Sequence, residues 1–295
     1  MSIEQVCIIG AGPAGLASAI QLKRYGIAAL IFERGQIGGL LHNANLVENY
    51  PGFPNGLPGP DLAALFEKQM KKIGVKPIFQ EVTHLDFNED RFTLHSSQQT
   101  YQAHVAVVAT GTKPKRFSNL PITPNLEDRI CYEVTQLRNV TGKHVVIVGA
   151  GDAAFDYALN LGKNNRITIL NRGNQLKCLP LLWQRASQNP DIHYQTNVKI
   201  KSVRGATNGR IMIDCLSDRV LKKIEADYLL GAIGREPNLD LLSPKLLNMT
   251  QKDKVRIRLY TIGDVHNGIF RQTAIAVGDG IRAAMHIHQT LGDTS

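Results

Sequence analysis

The sequence predicts an α/β chain of two Rossmann-like three-layer domains, the first discontinuous and the second inserted into it. Three observations predict this. Twice, over residues 3–33 and 144–172, an apolar strand runs into a glycine-rich turn, a helix and a second strand. The turns, Gly10-Ala11-Gly12-Pro13-Ala14-Gly15 and Gly149-Ala150-Gly151-Asp152-Ala153-Ala154, share one spacing. Offsets of 2, 5 and 23 residues lead from Gly10 to Gly12, Gly15 and Glu33, and from Gly149 to Gly151, Ala154 and Arg172. Linker-like stretches, 112–125 and Arg235-Glu236-Pro237-Asn238, bracket the second repeat. The domains that follow are 1–113 with 236–295, and 114–235.

Each element has its own signal. Residues 3–9 read as a buried strand, and the helix after Pro13 stops at Gly26 before a strand ending at Glu33. A loop rich in Gly, Pro and Asn covers 35–60, and a helix is expected from Asp61 to about Ile73. Residues 75–107 alternate as short strands with turns at 88–90 and 96–97, ending in a buried strand before Ala109-Thr110-Gly111. In the second repeat a helix reaches Leu161, further short strands lead to Gly234, and a last helix runs from about Thr273 to Leu291. Only 24 residues separate Asn238 from Gly263, few for a complete returning hairpin.

The bulk composition narrows the function. With 295 residues, 43% hydrophobic and 20% charged, the chain suits two globular domains. No stretch approaches the roughly 18–20 apolar residues of a membrane helix, so no membrane span is expected. The first apolar run lacks a basic leader and is broken by glycines, which argues against a secretory signal. Cys7, Cys131, Cys178 and Cys215 form no CxxC pair and no metal-ligand spacing, consistent with a reduced, cytoplasmic protein without a metal. The net charge of +9 suits anionic cofactors or an acidic protein partner, or is plain solvated surface. No basic helix or aromatic RNA-binding pattern points to nucleic acid.

In such turns the first glycine permits the tight bend and the second lets the backbone approach a pyrophosphate. The third, or a small alanine, lets helix and strand pack closely. The helix N-terminus offers free N–H groups to the phosphates. Glu33 at its strand tip suits ribose hydroxyls, as in the adenosine half of FAD or NAD. Arg172 in the matching place is a planar cation able to clamp a 2′-phosphate, with Lys177 as a second cation. The first site therefore reads as FAD and the second as NADPH. The plain alternative for both cations is ordinary surface.

These residues resemble the pyridine nucleotide–disulfide oxidoreductase superfamily, and within it the small thioredoxin reductase branch. Four stretches carry the likeness: Gly10–Gly15 with Glu33; Gly38-Gly39 with Glu48-Asn49-Tyr50-Pro51-Gly52-Phe53-Pro54; Ala109-Thr110-Gly111; and Gly263-Asp264 with Arg271-Gln272-Thr273-Ala274. The resemblance implies FAD contacts at Gly10, Gly12, Pro13, Ala14, Gly15, Glu33, Gly39, Leu40, Asn49 and Val82. It implies further ones at Ala109, Thr110, Gly111, Gly263, Asp264, Arg271, Gln272 and Thr273. It places NADPH against Gly149, Gly151, Asp152, Ala153, Ala154, Arg172 and Lys177, and implies a homodimer.

One departure matters. Where that branch carries a redox CxxC, this chain reads Cys131-Tyr132-Glu133-Val134, and one thiol cannot cycle to an internal disulfide. The segment from Tyr132 through the second glycine turn is similar instead to thioredoxin-reductase-like ferredoxin–NADP reductases. The expected activity is transfer of electrons from NADPH through FAD to an acceptor without an internal dithiol, the acceptor being ferredoxin, flavodoxin or a small oxidant. Two alternatives stand: a disulfide reductase using Cys131, with Tyr132 beside it, or a partner thiol; and a flavin-binding scaffold with a degenerate second site.

Overall fold

The computed structural model describes residues 3–292. β1 (Ile3–Ile9) feeds the first glycine turn and α1 (Pro13–Arg24), and β2 (Ala29–Phe32) returns beside it. A loop and α2 (Gly59–Lys72) lead to β3 (Pro77–Ile78), β4 (Val82–Asn88), β5 (Arg91–Ser96), β6 (Thr100–Val108) and β7 (Thr112–Pro114). Next come β8 (Ile130–Cys131), β9 (His144–Val148), α3 (Asp152–Leu161), β10 (Arg166–Leu170), α4 (Pro180–Ser187) and β11 (Ile192–Gln195). β12 (Val198–Gly205), β13 (Ile211–Ser217), β14 (Val220–Ala226) and β15 (Tyr228–Gly231) follow. The chain continues through β16 (Arg235–Pro237), α5 (Pro244–Leu247), α6 (Gln251–Arg256), β17 (Leu259–Thr261) and α7 (Thr273–Gly292).

Residue contacts divide the chain into two compact units, 1–42 with 46–113 and 236–295, and 43–45 with 114–235. In the first, β3-β2-β1-β6 run parallel, and β17 joins the C-terminal half of β6. The N-terminal half of β6 pairs instead with β5, antiparallel, and β5 with β4. Successive side chains of β1 enter different cores. Val6 and Ile8 pack with α1 and α7, whereas Cys7 and Ile9 pack with β4, β5 and Leu242. Because both faces are covered, the second half of the strand, Val6–Ile9, is a continuous apolar run. Each such buried aliphatic side chain contributes roughly 1.5–3 kcal/mol.

The stop of α1 at Gly26 has a backbone cause. Gly26 takes a left-handed φ of 75°, its N–H bonds Lys23 O, and the Ile27 N–H bonds Leu22 O. This closes the last carbonyls in a Schellman motif, which glycine adopts at least cost. Helices α1 and α7 meet at backbone distance, since a Cβ on Gly280 would lie 2.2 Å from Ala14 O. The 24 residues before Gly263 do not form a hairpin. They make two short helices, α5 and α6, whose first turns are capped by the hydroxyls of Ser243 and Thr250.

The second unit repeats the plan. Its parallel sheet is ordered β11-β10-β9-β15-β8, and Val145 and Ile147 of β9 face α3 and α4 while Val146 and Val148 face the other side. That other side is covered by a separate antiparallel sheet, β12-β13-β14. No helix among the described residues is long and apolar enough to cross a membrane.

Candidate functional site

The first glycine turn is a backbone construction. The Gly10 N–H bonds Phe32 O, the Ala109 N–H bonds Ile9 O, and Gly10 sits at φ 107°. A Cβ on Gly10 would meet Ala109 O at 2.4 Å, and one on Gly15 would meet Gly10 O at 1.9 Å. A Cβ on Gly12 would meet nothing within 4 Å. The closed positions hold the strand against the helix. The open one leaves the α1 N-terminus, with Pro13 in its first turn, facing space where phosphate can meet free N–H groups.

The flanking segments converge on this turn. Glu33 accepts the Ala11 N–H and the Gly35 N–H, each at 2.8 Å, which sets its carboxylate beside the turn with lone pairs to spare. Gly38 donates its N–H to Ala11 O, and a Cβ on Gly39 would lie 3.4 Å from the Gly12 Cα; Leu40 follows in the same single-turn helix. A Cβ on Gly263 would lie 2.8 Å from that of Ala14, so the turn carrying Asp264 stands against the α1 N-terminus. The Asn49 amide donates to the Gln272 side-chain oxygen at 2.6 Å. Thr110 and Gly111 are tied to Asn238 by the Thr110 hydroxyl, at 2.6 Å, and Gly111 O. Arg271 and Gln272 immediately precede α7, which begins at Thr273. Val82 is a buried core residue of β4, next to Glu81, whose carboxylate reaches Arg34 at 3.4 Å.

Sequence reasoning missed Asp279. Its carboxylate, on α7, accepts the Gly263 N–H at 3.2 Å and the Asn267 amide at 2.6 Å, so it holds the turn that carries Asp264. The signal was the Gly278-Asp279-Gly280 run inside a helix, where glycine costs about 1 kcal/mol and needs a packing reason. Near the end of α7, His286 Nδ1 pairs with Tyr260 Oη at 2.7 Å and the His288 ring stacks on that of Tyr25.

The second turn has the same skeleton. The Gly149 N–H bonds Leu170 O, the Ala232 N–H bonds Val148 O, and a Cβ on Gly149 would meet Ala232 O at 2.3 Å. Gly151 again is open, with nothing within 4 Å of an added Cβ, and Ala154 is fully buried. Asp152, first residue of α3, accepts the Leu179 N–H, and Ala153 follows it on the exposed side. The loop after the strand tip is shaped by Asn171, which accepts the Gly173 N–H and donates to Gln175 O and Tyr194 Oη. The Lys177 backbone pairs with this turn through Ala150 O. Among the described residues the Arg172 and Lys177 side chains are exposed and have no hydrogen-bond or ion-pair partner.

Around Cys131 the chain is built for packing. Cys131 is 4% exposed in β8, and burial pushes its thiol up to about 11. Val134, three residues on, is also buried. The Tyr132 hydroxyl accepts the Phe117 N–H at 3.2 Å, its ring lies on Gly231, and the Arg116 guanidinium stands over it. Glu133 forms a bidentate pair with Arg235 at 2.8 and 3.0 Å. All four cysteines are free, and no group of three metal-ligating side chains occurs among the described residues.

The family model for pyridine nucleotide-disulphide oxidoreductases matches residues 4–281, across both glycine turns. The chain belongs to this family. It is thioredoxin reductase-like within it. A thioredoxin reductase of Chlamydia pneumoniae is 29% identical over 311 residues, covering 98% of this chain and 99% of its own. The NADPH-dependent thioredoxin reductase 3 of Arabidopsis thaliana is 31% identical, and the chain spans 58% of its length. In structure, the Lactococcus lactis thioredoxin reductase aligns with a TM-score of 0.87 over 98% of this chain and 99% of its own, at 24% identity. The bacillithiol disulfide reductase of Staphylococcus aureus aligns at 0.78 over both whole chains, at 20% identity. These structural likenesses support the two Rossmann-like domains. The pyridine nucleotide-disulphide oxidoreductases of the thioredoxin reductase branch use FAD and NADPH, and this chain is an oxidoreductase of that kind.

Proposed function

We propose that the chain passes electrons from NADPH through FAD to an acceptor without an internal dithiol. The acceptor is a small acidic electron-transfer protein, of the ferredoxin or flavodoxin kind, or a small oxidant. The observation that carries this reading is the pair of matched glycine turns, with a carboxylate at one strand tip and a cation just past the other, in a chain whose dithiol position holds only Cys131. On this reading FAD lies in 1–113 with 236–295 and NADPH in 114–235, in a cytoplasmic homodimer.

Bound FAD would supply two-electron and one-electron chemistry that side chains lack. The chain would bind and orient it. The N–H groups at the α1 N-terminus, opened by Gly12, would hold the pyrophosphate, and Glu33 the adenosine ribose. Asp264, steadied through Asp279, would accept ribityl hydroxyls, and Thr110 with Gly111 would line the same side. The Asn49–Gln272 pair, Arg271 and the positive end of α7 would favour negative charge on the ring. In the second unit the α3 N-terminus would hold the NADPH pyrophosphate. Arg172 and Lys177, whose cationic ends have no partner among the described residues, would take its 2′-phosphate.

A second reading is disulfide reduction, favoured by the likeness to a thioredoxin reductase and to a bacillithiol disulfide reductase. A thiol from the partner would then supply the chemistry, because buried Cys131 holds little thiolate at neutral pH. The test is anaerobic addition of NADPH, then NADH, to the purified flavoprotein. Rapid bleaching by NADPH, unchanged in Cys131→Ser, supports dithiol-free transfer. A flavin bleached by dithionite and by neither nucleotide sinks the reductase reading.

A further inference from the structure

The net charge is not shared between the two units. Residues 43–45 and 114–235 hold 18 of the 34 Lys and Arg but 10 of the 25 Asp and Glu, a balance of +8 that leaves +1 for the rest. Part of that excess lies on one surface, the open face of the β12-β13-β14 sheet.

The inner face of this sheet is closed by Ile211, Ile213 and Cys215, all fully buried. Strand alternation therefore turns Met212, Asp214 and Leu216 outward. The register puts Lys199, Leu216 and Leu221 in one outward row and Ser202, Asp214 and Lys223 in the next. Leu221 is 77% exposed, although the solvent face of an antiparallel sheet is ordinarily polar. The acids of this face are engaged. Asp214 accepts from Ser202 Oγ at 3.0 Å and Arg204 Nε at 3.2 Å, and Glu225 accepts from Asn208 and from Arg210 Nη1 at 2.7 Å. Among the described residues the ammonium groups of Lys199, Lys201 and Lys223 have no such partner. What remains is an apolar pair flanked by three uncompensated cations.

That arrangement matches the anatomy of a protein interface, an apolar centre with a charged rim. A nucleic acid would ask for cations along a phosphate track and would leave the leucines nothing to bury against. A membrane surface would have to receive the hairpin tip, where Asp218 adds a negative charge beside Arg219. We propose that the open face of β12-β13-β14 docks the acidic protein acceptor. Leu216 and Leu221 take an apolar spot on that partner, and Lys199, Lys201 and Lys223 take its surrounding carboxylates. This deepens the acceptor part of the function proposed above and rests on that reading.

The test uses the full flavin-loaded chain and an acidic [2Fe–2S] ferredoxin as probe, with calorimetric titration at low and at physiological salt. Lys199→Glu/Lys223→Glu and Leu221→Ser carry the proposal. Lys252→Glu/Arg256→Glu, on α6 of the other unit, changes the net charge as much as the double lysine variant does. The expected result is binding that weakens with salt, is unchanged in the α6 variant, and falls about tenfold or more in each sheet variant. NADPH bleaching of the flavin stays at the wild-type rate in all of them. Equal losses in the α6 and lysine variants would overturn the docking face, reducing the effect to bulk charge. So would a short DNA duplex or anionic phospholipid vesicles binding through the same lysines more tightly than the ferredoxin. Absence of binding while NADPH still bleaches the flavin and ferricyanide is still reduced sinks the docking face and leaves the reductase. Binding lost in the sheet variants, with no bleaching by NADPH, keeps the face and sinks the reductase.

Discussion

In the first glycine turn Gly10 is closed against Ala109 O, Gly12 is open, and Glu33 is drawn onto the turn by two backbone N–H groups. In the second, Gly149 is closed against Ala232 O and Gly151 is open in the same way, but Asn171 stands where Glu33 does, followed by Arg172, exposed and, among the described residues, without a partner. The loop there is held by Asn171 instead. The comparison teaches that two layers of the site answer to different constraints. The backbone layer is set by the close approach of strand and helix and is nearly identical in both units. The side-chain layer at the tip differs, a carboxylate in one unit and an amide followed by a cation in the other, and on the proposed reading it selects the ligand.

The largest effects should come from filling the closed positions. Gly10→Val and Gly149→Val each place a Cβ within 2.4 Å of a carbonyl at a left-handed φ, a strain no rotamer relieves. Gly10→Val is expected to yield little flavin per chain. Gly149→Val is expected to keep flavin and lose NADPH bleaching by roughly a hundredfold. Loss of flavin in both variants would mean that the two cradles are not separable.

Asp279→Ala sharpens the comparison on the flavin side. Removing the acceptor of the Gly263 N–H and the Asn267 amide should cost about 1–3 kcal/mol, read as a roughly tenfold or greater fall in flavin affinity. The NADPH KM should not move, and a changed KM with intact flavin binding would contradict the assignment. Arg172→Glu with Lys177→Glu tests the other tip. A rise of about tenfold in KM is expected for NADPH and none for NADH, because only NADPH carries the 2′-phosphate. Equal rises for both would make the cations general anchors.

The smallest effect is expected at the single cysteine of the motif, where Cys131→Ser should leave electron transfer within about twofold. Burial disfavours the thiolate and pushes the thiol up to about 11. Alkylation of Cys131 by iodoacetamide should therefore be slow at pH 7 and rise about tenfold per pH unit without levelling below that value. Cys178, half-exposed, should label first. Fast labelling of Cys131 at neutral pH would revive the thiol mechanism.

Much of this was legible in the sequence because local physics carried it. The apolar runs of β1 and β9 could only be strands covered on both faces, and Gly26 marked the end of α1. The repeated offset of 23 set Arg172 against Glu33, but the fold shifts this by one: Gly10 and Gly149 bond Phe32 O and Leu170 O, so Asn171 answers to Glu33 and Arg172 stands one residue beyond. Other features depended on partners far along the chain. Asp279 lies 16 residues from Gly263 on a helix, and no local pattern says that its carboxylate caps that turn. Gly280 has no local reason inside a helix; the close approach of α1, with Ala14 O 2.2 Å from where its Cβ would be, supplies one. The segment before Gly263 was short for a hairpin, and only the fold showed α5 and α6 in its place. Tyr132, beside Cys131 in the motif, was a candidate for chemistry; in the structure it receives the Phe117 N–H and covers Gly231.

By itself the sequence determined the two strand–turn–helix units, their glycine chemistry, the family, and the want of a second cysteine at 134, because each is written in neighbouring residues or in residue identity. The tertiary structure decided how Gly263, Gly39 and Glu33 converge on one turn and that Cys7, Cys131 and Cys215 are buried while Cys178 is not. It also decided that Lys199 and Lys223 share a face with Leu216 and Leu221. Those facts depend on strand register and helix packing, which join residues that the chain keeps far apart.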